Sequence, residues 1–266
     1  MTTTTNCIEE MGYLEFSGAH LYTVLHRVQN PVARVLLIGP FASERHVSYV
    51  PWVRWARFLA ERRVEALRYD YRGVGESTGI FEDVSFDDWS RDVEFLADWL
   101  DSRSPDVPLV LHGLELGALL ASSAFAKGLG EALLLWAPPA NANEVLRRAL
   151  MRQIATDHAF TDVSRRKPSS DYLQRLESEE RLEIEGYRWS SKLWNDSFNV
   201  RLPLDPESTH WASGRPTRSV KLDIKAAPLV KGSSLAYVFL NPDLSDMFAD
   251  SLGSITTMTQ LPVRCL

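Results

Sequence analysis

The sequence contains little cysteine. Two cysteines occur in 266 residues, Cys7 and Cys265, and they lie near opposite ends of the chain. This spacing gives neither a disulfide framework nor a set of metal ligands. Low cysteine usage fits a reducing compartment. We therefore expect a cytoplasmic protein without a metal ion or another cofactor.

Long apolar runs and clusters of basic residues are also missing. No apolar stretch approaches the roughly 18 residues of a membrane-spanning helix, and the Thr-rich N-terminus lacks the basic and apolar regions of a secretion signal. The net charge is −6 and the pI is about 5.6, with arginines interspersed among carboxylates. We expect neither a membrane span nor a nucleic-acid partner.

Short apolar runs alternate with amphipathic segments along the first 140 residues. A hairpin is predicted from strands at 12–16 and 21–28, and Ser85 with Asp88 predicts a capping box before a helix. Continuous apolar strands separated by helices are typical of a mostly parallel sheet with helices on both faces. Further buried strands are predicted at 34–38, 65–69, 108–112 and 132–136.

The pattern changes between about residues 140 and 215. An amphipathic helix is predicted at 144–157, and the polar stretch 161–171 is rich in Pro and Ser. We interpret 140–215 as a helical cap inserted into a single α/β domain spanning 1–266. Strands are predicted again at 235–240 and 256–261, and the C-terminus at Leu266 comes early for such a domain.

One turn organises the sequence. Gly113-Leu114-Glu115-Leu116-Gly117 lies between a short apolar run that starts at Pro108 and an apolar segment with helical spacing. Strand, sharp turn and helix are the context of the Gly-x-Ser-x-Gly nucleophile elbow. Glycines are needed at both ends because a Cβ would clash where the strand and helix pass closely. We expect a positive φ at Glu115.

Three further stretches carry a family resemblance: Gly39–Glu44, Asp70–Ser77 and Leu135–Pro138 followed by an Arg-rich helix. With the turn, they make the chain resemble α/β hydrolases of the serine-aminopeptidase-like branch. More narrowly, the chain resembles the exosortase-associated hydrolases of bacteria. The resemblance implies an α/β-hydrolase fold and hydrolysis of an ester or amide by a Ser, Asp, His triad.

The triad positions are only partly filled. The resemblance places Glu115 at the nucleophile position and Asp243 at the acid position, with Asp246 as an alternative. No histidine follows these residues, because the last one is His210. An oxyanion hole would use the backbone amides of Leu116 and of Phe41 or Ala42.

Glu115 has two interpretations. A non-nucleophilic carboxylate that binds a ligand or fills the turn would make the protein a catalytically degenerate hydrolase homologue. Alternatively, Glu115 attacks the substrate as a nucleophile, and the protein is an active carboxylic-ester or amide hydrolase with a non-standard site. We prefer the first, because the extra methylene relative to aspartate displaces the attacking oxygen by ~1 Å.

Other polar residues near these motifs have functional and structural interpretations. His46, expected in the loop after the strand at 34–38, and His112 are candidates to line the pocket, although His112 also fits a core histidine. Asp70 and Arg72 could hold a substrate, but a structural anchor for the glycine-rich turn is favoured.

Two kinds of partner are expected. A small acyl or ester-type molecule fits the family resemblance. A second copy of the chain or another protein would fit an apolar surface left uncovered by a missing terminal helix. The candidates for that surface are Leu235, Tyr237, Phe239, Met258 and Leu261.

Overall fold

The fold begins with the predicted hairpin. The computed structural model describes residues 8–178 and 181–203, together with two backbone strands at 218–223 and 235–240. Strands β1 (Ile8–Phe16) and β2 (Ala19–Arg27) pair antiparallel along their whole length. The predicted hairpin is confirmed, and it forms one edge of the main sheet.

Four parallel strands form the centre of the sheet. In spatial order they are β4, β3, β5 and β6, and each pairs in parallel with its neighbour. Their continuous apolar sequences are explained by burial on both faces. The bounds are β3 (Ala33–Ile38), β4 (Val64–Tyr69), β5 (Leu109–Leu114) and β6 (Ala132–Trp136).

The far edge of the sheet differs from the expectation. The predicted strand at 235–240 is present as β10 (Leu235–Leu240), but it pairs antiparallel with β6. An additional strand, β9 (Arg218–Asp223), was not predicted, and it pairs antiparallel with β10. The parallel arrangement is therefore confined to the centre of the sheet.

Helices cover both faces of the sheet. Alternating side chains point to opposite faces, so Val35 and Val110 pack with α1 (Ala42–Glu61), whereas Leu36 and Leu111 pack on the other face. That second face is covered by α2 (Phe86–Ser102) and α3 (Leu116–Ala126). The predicted capping box precedes α2: Ser85 Oγ accepts from the Asp88 amide, and the Asp88 carboxylate accepts from the Ser85 amide.

The segment after β6 packs over the α2 and α3 side of the domain. Leu150, Ile184, Trp189 and Trp194 are buried in the same apolar cluster as those two helices. Residues 142–196 contain a small hairpin as well as helices; we use "the cap" below as a label for this segment, and its being a cap insertion stays a prediction. Its elements are α4 (Ala142–Phe160), α5 (Ser169–Glu177), β7 (Leu182–Ile184), β8 (Tyr187–Trp189) and α6 (Ser191–Asp196).

Several expectations fall outside the described residues. These are the remainder of the cap at 204–215, the strand at 256–261, and the side chains of the proposed apolar surface. Within the described ranges, none of the helices combines the length and apolarity needed to cross a bilayer.

Close backbone contacts fix the start of α3 against the sheet. A Cβ on Gly117 would lie 2.1 Å from the carbonyl oxygen of Ile38, and a Cβ on Gly113 would lie 2.4 Å from the Cα of Ala118. Both distances are too short for non-bonded atoms. The requirement for glycine at both positions is therefore confirmed.

This contact makes Gly117→Ala strongly destabilising. The added methyl group must displace α3 from β3, so we expect the free energy of unfolding to fall by roughly 1–3 kcal/mol or more. Urea unfolding measures the change. The matched control is Gly12→Ala in β1, where no atom lies within 4 Å of the new Cβ. A Gly117→Ala variant as stable as the wild type would contradict this description of the turn.

Candidate functional site

Glu115 occupies a strained turn between β5 and α3. Its φ and ψ are 54° and −115°, so the predicted positive φ is confirmed. Its amide donates to the carbonyl oxygen of Trp136, and its own carbonyl oxygen accepts from the amide of Ala118, both at 2.9 Å. These bonds hold a conformation that costs a non-glycine residue about 1–3 kcal/mol.

The Glu115 carboxylate is buried and hydrogen-bonded on both oxygens. The side chain is only 1% exposed. Oε2 accepts from the amide of Leu116 at 2.9 Å, and Oε1 accepts from Nη2 of Arg148 at 2.7 Å. Arg148 lies on α4 and also bonds the exposed Glu144 at 2.8 Å. The carboxylate therefore joins the turn to the cap.

Burial dominates the electrostatics of this carboxylate. It raises the pKa of Glu115, and the Leu116 amide and the Arg148 guanidinium offset this only in part. The charge of Glu44 acts in the same direction as burial. Beside the site, Tyr71 donates to the carbonyl oxygen of Gly39 at 2.5 Å. Burial and the charge of Glu115 raise the pKa of this phenol.

A second polar network ties the cap to the start of α1. Glu185, in the turn between β7 and β8, accepts from both the amide and the hydroxyl of Ser43 at 3.0 Å. Arg152 of α4 bonds Glu185 at 2.6 Å and reaches Glu44 at 3.4 Å. Together with the Glu115–Arg148 pair, this network joins α4 to the rest of the domain through two arginines one helical turn apart, Arg148 and Arg152.

The expected oxyanion-hole amides lie next to this network. The amide of Leu116 is bonded to the carboxylate of Glu115 itself. Phe41 and Ala42 are buried at the start of α1, and Ala42 has a φ of 53°. The following amide, that of Ser43, is bonded to Glu185. Two of the amides in this region are thus occupied by carboxylates of the chain.

Among the described residues, neither candidate histidine is hydrogen-bonded to Glu115. His112 is fully buried on the α1 side of β5, among the rings of Trp52, Trp55 and Trp136. Its Nδ1 accepts from Trp55 Nε1 at 3.1 Å, and burial lowers its pKa to about 3. His112 therefore lies in the core.

The expectation that His46 lies in a loop is wrong. It belongs to helix α1, where its side chain is exposed and its Nδ1 is 3.2 Å from the carbonyl oxygen of Ala42. Helix α1 begins earlier than predicted, because Ala42 follows β3 after a loop of only three residues.

Asp70 and Arg72 have the arrangement of structural anchors. Asp70 accepts from Arg45 at 2.7 Å and from the amide of Glu76 at 3.0 Å. Arg72 forms a two-pronged pair with the buried Asp92, at 2.6 and 3.1 Å. The side chains fix the glycine-rich loop after β4, as the preferred interpretation expects.

Asp243 and its alternative, Asp246, lie outside the described residues. Strand β10, which precedes them, runs antiparallel to β6, so its last residue, Leu240, pairs with Ala132 at the start of β6. Glu115 lies at the opposite end of the parallel strands. The direction of β10 thus gives no support to an acid role for Asp243, which stays a prediction.

Sequence interpretation missed the cationic partners of the site. Glu144, Arg148 and Arg152 are spaced four residues apart on α4, which places them on one helix face. This spacing is the sequence feature from which the two arginines could have been found. The contacts of Arg148 with Glu115 and of Arg152 with Glu185 each join residues 33 positions apart in the chain.

The comparison with known families gives one match. The sequence matches the family described as serine aminopeptidase, S33, over residues 48–188, more than half of the chain. The chain belongs to the serine aminopeptidase S33 family. The matched region contains the Glu115 turn, α4 and β7. No curated protein matches the sequence.

Solved structures agree with the S33 family at the level of the fold. Est1E from Butyrivibrio proteoclasticus, with bound ferulic acid, is 20% identical, and the alignment covers 72% of each chain with a TM-score of 0.52. This likeness supports the α/β-hydrolase fold, and the S33 chain has its parallel central sheet and helices on both faces.

Two further structures are similar over different lengths. A monoglyceride lipase from Saccharomyces cerevisiae is 18% identical, with a TM-score of 0.46, and the alignment covers 57% of this chain and 52% of the lipase. Mouse alpha/beta hydrolase domain-containing protein 10 is also 18% identical, with coverages of 76% and 74% and a TM-score of 0.46. The chain thus spans about half of the yeast lipase.

The raised pKa of Glu115 predicts the pH dependence of Glu115→Gln. Protonated Glu115 stabilises the fold fully below its unfolded pKa, and this contribution is lost as pH rises through the higher folded pKa. Glutamine does not ionise. We expect the unfolding free energy of Glu115→Gln minus that of the wild type to increase above about pH 4.5, by at most about 1.4 kcal/mol per pH unit.

Urea unfolding between acidic and neutral pH measures this difference. The control is Glu144→Gln, which removes an exposed carboxylate bonded to the same Arg148. A difference that decreases as pH rises would mean that Arg148 outweighs burial, and it would contradict the prediction.

Proposed function

We propose that this S33-family chain is a non-hydrolytic α/β-hydrolase-fold protein that binds a small acyl or ester-type ligand or a protein partner. One observation carries the proposal. At the position where the family resemblance implies a serine nucleophile, Glu115 is buried and hydrogen-bonded to the Leu116 amide and to Arg148. The turn then acts as a nucleophile elbow in shape only.

The chemistry of the site disfavours hydrolysis in three ways. A carboxylate bonded on both oxygens has reduced nucleophilicity, and its hydrogen bonds must break before it attacks carbon. Its negative charge also repels the oxyanion that the Leu116 amide would stabilise. In the described part of the chain, no histidine contacts Glu115 as a base.

The charge around the cap favours one class of ligand. Four carboxylates, on Glu44, Glu115, Glu144 and Glu185, surround the two guanidinium groups of Arg148 and Arg152. The excess negative charge disfavours an anion at this surface. A neutral acyl ester or amide therefore fits the site better than a free carboxylic acid.

The proposal includes a cellular setting. The narrow resemblance to exosortase-associated hydrolases suggests a bacterial protein, and the low cysteine content is in keeping with the cytoplasm. A second copy of the chain is an alternative to the small ligand as the partner.

The function is tested by measuring turnover and binding on one protein sample. We expect no labelling of residue 115 by a fluorophosphonate and no cleavage of activated acyl esters above a heat-inactivated control. We also expect neutral acyl amides to raise the midpoint of thermal unfolding in a saturable manner, because they bind only the folded site.

Variants separate the two interpretations of Glu115. Arg148→Ala should weaken the amide-dependent shift, whereas Arg165→Ala, in an exposed turn of the cap, should not. Ester hydrolysis that is abolished by Glu115→Gln and retained by Glu144→Gln would overturn the proposal and establish an active hydrolase using Glu115.

A further inference from the structure

A cavity lies beside α1, at the carboxyl ends of β3 and β4. Its volume is about 30 Å³, and Arg45, Arg68 and Asp70 contribute its charged groups. A cavity of roughly 10–15 Å³ already accommodates one water molecule. The space therefore fits the two oxygens of a carboxylate group, and because the lining residue Tyr49 is 47% exposed, the rest of a small ligand can extend toward solvent. Gly39 and Tyr71 line the cavity, whereas Glu115 does not.

The carboxylate of Asp70 is already occupied. Its Oδ1 accepts from Nη2 of Arg45 at 2.7 Å, and its Oδ2 accepts from the amide of Glu76 at 3.0 Å. The Arg45 and Asp70 side chains are 20% and 14% exposed, so this is a partly buried pair. Asp70 balances the charge of Arg45 and leaves Arg68 to be balanced by another group.

In the part of the chain that the structure describes, no carboxylate pairs directly with Arg68, although its charge contributes to lowering the pKa of Glu9. Its Nε donates to Nε2 of His26 at 3.2 Å. Burial lowers the pKa of His26 to about 4, so this histidine is neutral at pH 7. Among the described residues, no carboxylate oxygen lies within 4.0 Å of the Arg68 guanidinium, and its terminal nitrogens have no hydrogen-bond partner.

The walls of the cavity fit a small organic anion. The guanidinium carbons of Arg45 and Arg68 both lie 5.9 Å from the centre of the Tyr49 ring. Trp52 and Val53 supply apolar surface. Two arginines and one aspartate leave a net charge of +1 in the lining, on a chain whose net charge is −6.

We propose that this cavity binds a small carboxylate, with its two oxygens accepting hydrogen bonds from the terminal nitrogens of Arg68. The planar guanidinium matches a carboxylate in both charge and geometry. The single excess positive charge fits a monoanion. This site does not depend on the proposed function, because it uses neither Glu115 nor the cap arginines.

The probe is trifluoroacetate, observed by ¹⁹F NMR at constant ionic strength. We expect saturable broadening of the signal with the wild-type protein and displacement of the probe by acetate. Arg68→Gln should weaken binding by ~10-fold or more, because a charged hydrogen-bond donor is lost. Arg54→Gln removes the same charge from an exposed position on α1 and should leave binding unchanged.

A cavity-filling variant covers the case in which Arg68→Gln does not fold. Val53→Phe keeps both arginines and fills the space, so it should abolish binding while thermal unfolding verifies the fold. The proposal is overturned by the absence of saturable binding to the wild type, by undiminished binding to Val53→Phe or to folded Arg68→Gln, or by chloride displacing the probe as effectively as acetate.

Discussion

The structure depends on the neutralisation of one buried carboxylate. Glu115 lies in a left-handed turn at the end of a central strand, where its side chain has almost no contact with solvent. A buried carboxylate is costly unless it is protonated or well bonded. The chain supplies the Leu116 amide from the turn and the Arg148 guanidinium from the cap. Cap position and turn chemistry are therefore linked.

This link gives Glu115 a structural role at the position where the family resemblance implies a serine. A serine in the same turn presents a hydroxyl to a substrate, whereas Glu115 uses its oxygens for contacts inside the protein. The neighbouring Arg152–Glu185 pair reinforces the same closure and occupies the Ser43 amide. The α/β-hydrolase fold is thereby retained, while the Glu115 carboxylate and the amides of Leu116 and Ser43 are bonded within the protein.

Local patterns predicted much of the fold. The hairpin, the four central strands, the capping box and the strained turn all depend on residues within a few positions of one another. The need for glycine at positions 113 and 117 could be predicted because it comes from a steric clash between neighbouring segments of the turn. The same approach recovered the anchoring roles of Asp70 and Arg72, which lie in one short loop.

Contacts between distant residues were not predictable in this way. Glu185 bonds Ser43 across 142 positions, and no periodicity encodes that pairing. Apolar patterns also carry no direction, so β10 was predicted as a strand while its antiparallel pairing with β6 was not. His46 was assigned to a loop because the start of α1 lacks a side-chain cap that would mark it.

A double-mutant cycle between positions 115 and 148 tests the central link most directly. Arg148→Met leaves the Glu115 carboxylate buried without its cation, so we expect a loss of about 1–3 kcal/mol of unfolding free energy at neutral pH. In the Glu115→Gln background the same change should cost much less, giving a coupling energy of about 1 kcal/mol or more. Additivity within about 0.3–0.5 kcal/mol would contradict the account, because it would mean that turn and cap are independent.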